Sequence, residues 1–294
     1  MASLPTRAVS AVLPGGRKAR GAAVGYGFVL MASALVVMAF LVRFFLHDAR
    51  GQELERRIMR GVGTSSLIDQ VLQSGLELVS VGAIVLALVA LAVFAVMRRR
   101  ADLGLGAAIL VAGANITTQV LKYGVLERSD FGFSRHNSLP SGHVTVITSL
   151  LIAAVLVLPA AWRPMLAPAA AFLATGAGVG TIVLSWHRPS DVIAAYAVVL
   201  WWVGAIVACL ALAWRQQGPV PRGLWRPFGY VVGGFLAVVV AAVLMLVSGV
   251  SPRQGMYDLA LGLAALLLVA LCCAAVISLA AYATDLLGDD RGTG

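Results

Sequence analysis

Apolar residues in this chain neither alternate nor recur at a helical period; they run together in near-continuous stretches rich in Ala, Val and Leu. Short segments carrying most of the Arg, Lys, Asp and Glu separate the stretches. Eight runs stand out, at about 24–46, 75–97, 103–121, 142–162, 166–186, 191–214, 228–249 and 258–284. A segment apolar on every side presents no face to water, and each run is close to the roughly 20 residues that cross a hydrocarbon core. In lipid such a segment must be helical, because every unpaired backbone N–H or C=O costs several kcal/mol. The pattern predicts an all-α, polytopic membrane helical bundle, with a six-span core followed by two C-terminal spans. The last run is long enough to tilt or to extend past the bilayer.

The polar segments divide the chain into three parts. Residues 1–22 form a small basic tail, residues 23–214 hold the first six runs, and residues 215–294 hold the last two behind the linker "RQQGPVPRGLWR". The loop after the first run mixes charges with Leu, Ile, Met and Val, which predicts a short helix lying on the membrane surface. "TGAGVG" (Thr175 to Gly180) is glycine-rich but falls inside the fifth run, where small residues serve close helix packing better than a phosphate loop.

Composition excludes a soluble domain: 60% of the 294 residues are apolar and 12% are charged, against about 25% charged in a soluble protein. Basic residues usually mark the cytoplasmic side. Starting the tail inside places twelve of the 22 Lys and Arg residues on the cytoplasmic side, including Arg98 to Arg100 and Arg163. Arg50, Arg56, Arg57 and Arg60 in the first loop run against that bias. The orientation read is N-in and C-in. The net charge of +9 is scattered over short loops, which suits anionic lipid headgroups and gives no nucleic-acid surface. Cys209, Cys272 and Cys273 all fall inside apolar runs, so neither a disulfide nor a zinc site is expected. The first run is too long for a cleaved signal and reads as an anchor.

Three polar segments converge on the outward end of the spans, where ionisable residues are costly and mark function. "PSGH" opens the fourth run, so Ser141, Gly142 and His143 occupy a helix start with free N–H groups and a positive dipole end, which suits an anion. A capped helix with an interfacial His is the plain alternative. In "SWHRPSD", His187 and Asp191 stand four residues apart on one helical face. A carboxylate there orients the imidazole and frees its other nitrogen to attack, although Asp191 also serves as a local cap. Lys122 and Arg128 end the third run, either as snorkelling side chains or as cations for a phosphoryl group. The outer face lacks the carboxylate cluster that Mg²⁺ or Ca²⁺ takes, and two histidines make a poor zinc set. No metal or other cofactor is expected.

These residues resemble the type 2 phosphatidic acid phosphatase superfamily, the membrane lipid-phosphate phosphatases, whose motifs are KxxxxxxRP, PSGH and SRxxxxxHxxxD. "PSGH" is complete at 140–143, and HxxxD is complete as "HRPSD" at 187–191. The resemblance covers roughly residues 24–214 and makes residues 23–214 a six-span phosphatase core. It implies that His187 is the nucleophile that becomes phosphohistidine, that Asp191 orients it, and that His143 protonates the leaving oxygen and then helps activate water. Ser141, Gly142, Lys122 and Arg128 would hold the phosphate, without metal, in a site facing the outer side of the membrane. The chain departs from the pattern in three places. Five residues separate Lys122 from Arg128, Ser129 replaces the motif Pro, and Gly180 and Thr181 replace the Ser-Arg of the third motif. Arg188 or Arg135 is available to supply the missing cation.

The function expected is hydrolysis of a lipid phosphate monoester or diphosphate, such as a polyprenyl diphosphate or phosphatidate, by a multi-pass cell-membrane enzyme with its site on the extracytoplasmic side. Its partners are the lipid phosphate and the bilayer. Two other readings stand beside it. One is a catalytically weakened member that binds lipid phosphates or acts as a scaffold, for which Thr181 speaks. The other is a transporter, disfavoured because the polar residues gather at one face rather than at the midplane.

Overall fold

The computed structural model describes residues 14–62, 66–77, 81–133, 136–213 and 255–287. Among them are nine α-helices and no strand. Helix α1 (Pro14–Leu41) closes in a π-helical turn, Val42–Leu46; then come α2 (Ala49–Gly61), α3 (Ser66–Glu77), α4 (Val81–Met97) and α5 (Ala101–Val120), which ends in a second π-helical turn, Leu121–Val125. After a long loop follow α6 (Gly142–Val157), α7 (Arg163–Val183), α8 (Pro189–Ala213) and α9 (Met256–Asp285).

Among the described residues, five helical segments are long and apolar enough to cross a membrane: Arg20–Leu46, Ala101–Val125, Ala160–Val183, Pro189–Ala213 and Met256–Asp285. Gly82–Met97 and Gly142–Val157 are apolar but shorter. Two runs differ from their expected bounds. The run expected over 75–97 takes in the last residues of α3 and all of α4, with residues 78–80 between them outside the described residues. The run expected over 142–162 leaves the helix at Val157, where Pro159 holds Leu158 extended at ψ 156°. The run at 228–249, the linker before it and Arg135 lie outside the described residues.

Small residues let the helices approach closely. α1 packs along α8, and a Cβ added to Gly204 would lie 2.5 Å from the carbonyl oxygen of Gly27. In the "TGAGVG" stretch, a Cβ on Gly178 would meet the Tyr196 hydroxyl at 2.6 Å, so this glycine admits the neighbouring helix. α9 packs against α2, α7 and α8. The three cysteines are unpaired.

The bundle has two chemically distinct ends. At one, the buried Arg163 guanidinium donates to the Asp285 carboxylate at 2.5 Å and ties the start of α7 to the end of α9. At the other, α1, α5 and α7 finish and α6, α8 and α9 begin, with α2 packed against the start of α9 and the turn that closes α1. The surface helix expected in the first loop is α2, capped by the Asp48 carboxylate, which accepts from Arg50 N–H at 2.7 Å. Its inner stripe of Gln52, Glu55 and Ile58 is buried against protein. Glu53 pairs with Arg56 and Arg57 on the outer side.

Candidate active site

The start of α6 is built by its own sequence. Ser141 Oγ caps the helix by accepting from Val144 N–H at 3.5 Å. Its backbone N–H donates to the Asp191 carbonyl at 2.9 Å, locking this helix start to that of α8. Gly142 leaves the backbone open: a Cβ there would have only Gln119 Nε2 within 4 Å, at 3.7 Å. His143 follows in the first turn, partly buried, with its ring 5.5 Å from that of Trp186 and within electrostatic reach of His187 and Lys122.

His187 arrives through a tight turn. Ser185 takes φ 61°, a left-handed conformation that costs a non-glycine residue about 1–2 kcal/mol. The Thr181 carbonyl accepts from the N–H groups of Trp186 and His187 at 2.9 and 3.1 Å. The imidazole is buried, with Nδ1 3.3 Å from Asp191 Oδ2. That same oxygen accepts from Ser138 Oγ at 2.6 Å and from Arg188 N–H at 2.8 Å. A carboxylate held by three donors fixes the ring's orientation and turns Nε2 away from it.

Lys122 sits in the π-helical turn that ends α5, partly buried, with Nζ 5.5 Å from the Tyr123 ring centre. The Asn137 side-chain amide donates to the carbonyls of Lys122 and Leu126 at 3.2 and 2.8 Å and pins the loop beside them.

Arg128 lies in a second cluster. Both its terminal nitrogens donate to Glu55 Oε2 at 3.2 Å, and its side chain is 4% exposed. Ser190 Oγ donates to Glu55 Oε1, and Arg188 Nε stands 3.9 Å from Glu55 Oε2. Arg188 Nη1 also donates to Ser138 Oγ at 3.0 Å, so the two clusters meet at the Ser138–Asp191 hydrogen bond. Burial and the neighbouring Asp191 carboxylate push the Glu55 carboxyl up to about 7, against the pull of Ser190, Arg128 and Arg188. Burial and the Arg188 charge lower the Arg128 guanidinium.

Position 181 contributes no cation. Thr181 is fully buried and its hydroxyl donates to the Gly178 carbonyl of its own helix at 2.8 Å.

All seven residues singled out in the sequence therefore stand at one end of the bundle. Glu55, Ser138, Ser190 and Gln119 are additional. Gln119 carried a usable signal, one turn before Lys122 on the same helical face. Glu55 carried little, because an acidic residue on an amphipathic surface helix ordinarily faces water.

Residues 103–219 match the sequence model of the PAP2 superfamily. This segment is a PAP2 superfamily domain. It starts in α5 and takes in both histidines, Asp191, Lys122 and Arg128, while α2 with Glu55 and α9 lie outside it. Members of the PAP2 superfamily are phosphatases, so the coarse class of this protein is a membrane-embedded phosphoric ester hydrolase. No curated protein and no solved structure matches the chain.

Proposed function

We propose that this protein hydrolyses a lipid phosphate monoester or diphosphate, such as a polyprenyl diphosphate or phosphatidate, through a phosphohistidine on His187. The observation that carries the proposal is the buried His187–Asp191 pair, with Nδ1 on the carboxylate and Nε2 free, beside the open start of α6 at Gly142. Nε2 attacks phosphorus, the N–P bond forms, and the P–O bond to the lipid breaks. His143 gives its proton to the leaving oxygen. It then accepts a proton from the water that attacks the phosphohistidine, the N–P bond breaks, and inorganic phosphate leaves. Lys122, Arg128, the Gly142 N–H and the start of the helix capped by Ser141 hold the phosphate oxygens, since phosphoryl transfer depends on charge stabilisation and positioning. The scheme runs without a metal.

The site belongs on the extracytoplasmic side of the cell membrane, with the N- and C-termini in the cytoplasm. The positive charges of Arg98 to Arg100 and Arg163 at the opposite end of the bundle support that orientation.

Thr181 favours a second reading, a weakened member that binds lipid phosphate or acts as a scaffold. A charged hydrogen bond is worth about 1.5–3 kcal/mol, so one missing guanidinium matters. Phosphate release from a panel of polyprenyl and glycerolipid phosphates, with EDTA present and His187→Ala alongside, separates the two. EDTA-resistant release that vanishes in His187→Ala supports the phosphatase. Binding of the same lipids with no release by either protein supports the second reading.

A further inference from the structure

Building on the phosphatase reading, we infer that Glu55 is a positioning residue: from α2, outside the PAP2 domain, it holds Arg128 and Arg188 beside Asp191 so that both serve the phosphate in place of the guanidinium missing at Thr181.

Three observations converge on this role. The first is charge. Two guanidiniums approach one carboxylate oxygen, Arg128 at 3.2 Å and Arg188 at 3.9 Å. Like charges held this close repel one another, and a carboxylate between them offsets the repulsion. Glu55 is 1% exposed, and burying a carboxylate costs several kcal/mol unless its partners are well placed. Here Ser190 and Arg128 take both oxygens. Arg128 still keeps a buried Nε–H without a partner.

The second is the way α2 is fastened to the loop that carries Arg128. Gln52 Nε2 donates to the carbonyls of Leu46 and Ser129 at 3.0 and 2.9 Å. Ser129 N–H donates to the Leu46 carbonyl at 3.1 Å, and Ser129 Oγ bonds His47 Nδ1 at 2.9 Å. A proline at 129, as in the family motif, would have neither that N–H nor that hydroxyl. The departure at Ser129 thus builds the seam that brings Glu55 to Arg128.

The third is the link to the reacting groups. Arg188 shares Ser138 with the Asp191 carboxylate, so displacing Arg188 also disturbs what orients His187. The carboxyl, pushed up to about 7 by burial first and Asp191 second, matches a group held for placement at a cost in desolvation.

The test uses the full-length protein in detergent. Orthovanadate affinity and lipid-phosphate turnover are measured for wild type, Glu55→Gln, Arg128→Gln and the double variant, with thermal unfolding of each. Glu55→Gln is expected to weaken orthovanadate binding and raise KM about tenfold or more, the scale of one charge-assisted contact. In the Arg128→Gln background it should cost less than it does alone, since only the placement of Arg188 is left to lose. A folded Glu55→Gln protein with wild-type affinity and KM overturns the inference while leaving the phosphatase reading intact. Tighter oxyanion binding overturns it as well and makes Glu55 a competitor for the arginines. Should Glu55→Gln not fold, Glu55→Asp decides: weakened binding at wild-type thermal stability supports positioning, and unchanged binding overturns it. A wild-type protein that neither binds orthovanadate nor releases phosphate removes both readings.

Discussion

His187 turns Nδ1 onto the Asp191 carboxylate at 3.3 Å, and Asp191 is held in turn by Ser138 and the Arg188 N–H. His187 lies two residues ahead of α8 and Asp191 in its first turn, where Asp191 is 1% exposed. Burial on that scale demands partners for the carboxylate, and Oδ2 collects three of them. The imidazole thereby gains a fixed orientation and tautomer, which is what a nitrogen nucleophile requires.

Asp191→Asn tests the pairing. The amide retains the size of the side chain but loses its charge and can present N–H where His187 needs an acceptor. Turnover should fall by about 100-fold or more, the scale of a misplaced proton-transfer group, with KM changed much less. Steady-state kinetics on the accepted lipid phosphate checks this, and an unchanged kcat contradicts it.

How much of this was legible in the chain depends on sequence distance. Apolar runs announce spans because lipid tolerates no unpaired backbone; α5, α7, α8 and α9 lie within a few residues of the runs that announced them, while α1 starts about ten residues ahead of its run. His187 and Asp191 were legible because only four residues separate them, although His187 lies in the bend ahead of α8 and not on a helical face. Pro159 was in plain view as the end of α6, but the apolar run continues through it to Trp162 and masks the break. Glu55 was not legible: Arg128 lies 73 residues away and Ser190 lies 135 away, and neither spacing has a period to betray it. Departures from a motif carried more than they first suggested, since Ser129 marks the docking of α2.

Gly204→Val tests the crossing of α1 and α8. A Cβ there meets the Gly27 carbonyl at 2.5 Å, so the helices must separate. Overpacking of this kind costs about 1–3 kcal/mol, and thermal unfolding in detergent should show a lower Tm. A Tm equal to wild type would mean that the two helices do not approach as described.

Glu55 makes stability depend on pH. Its carboxyl lies at about 7 in the folded protein against an ordinary value of 4.5, raised by burial first and Asp191 second, against Ser190, Arg128 and Arg188. Across that window the folded state holds a proton that the unfolded chain has released. Stability from this group is therefore fully present below 4.5 and is lost as pH rises through about 7. Unfolding curves of wild type and Glu55→Gln should differ in slope across this window, with wild type losing more stability. Parallel curves would contradict it.

The central claim is tested most directly by trapping the intermediate. The protein is mixed with the lipid phosphate it turns over, quenched in base, where phosphohistidine survives, and its peptides are read by mass spectrometry. Phosphate on the peptide containing His187, absent from His187→Ala, is the predicted result. Turnover by the wild type with no phosphorylated peptide, or full turnover by His187→Ala, would contradict the mechanism.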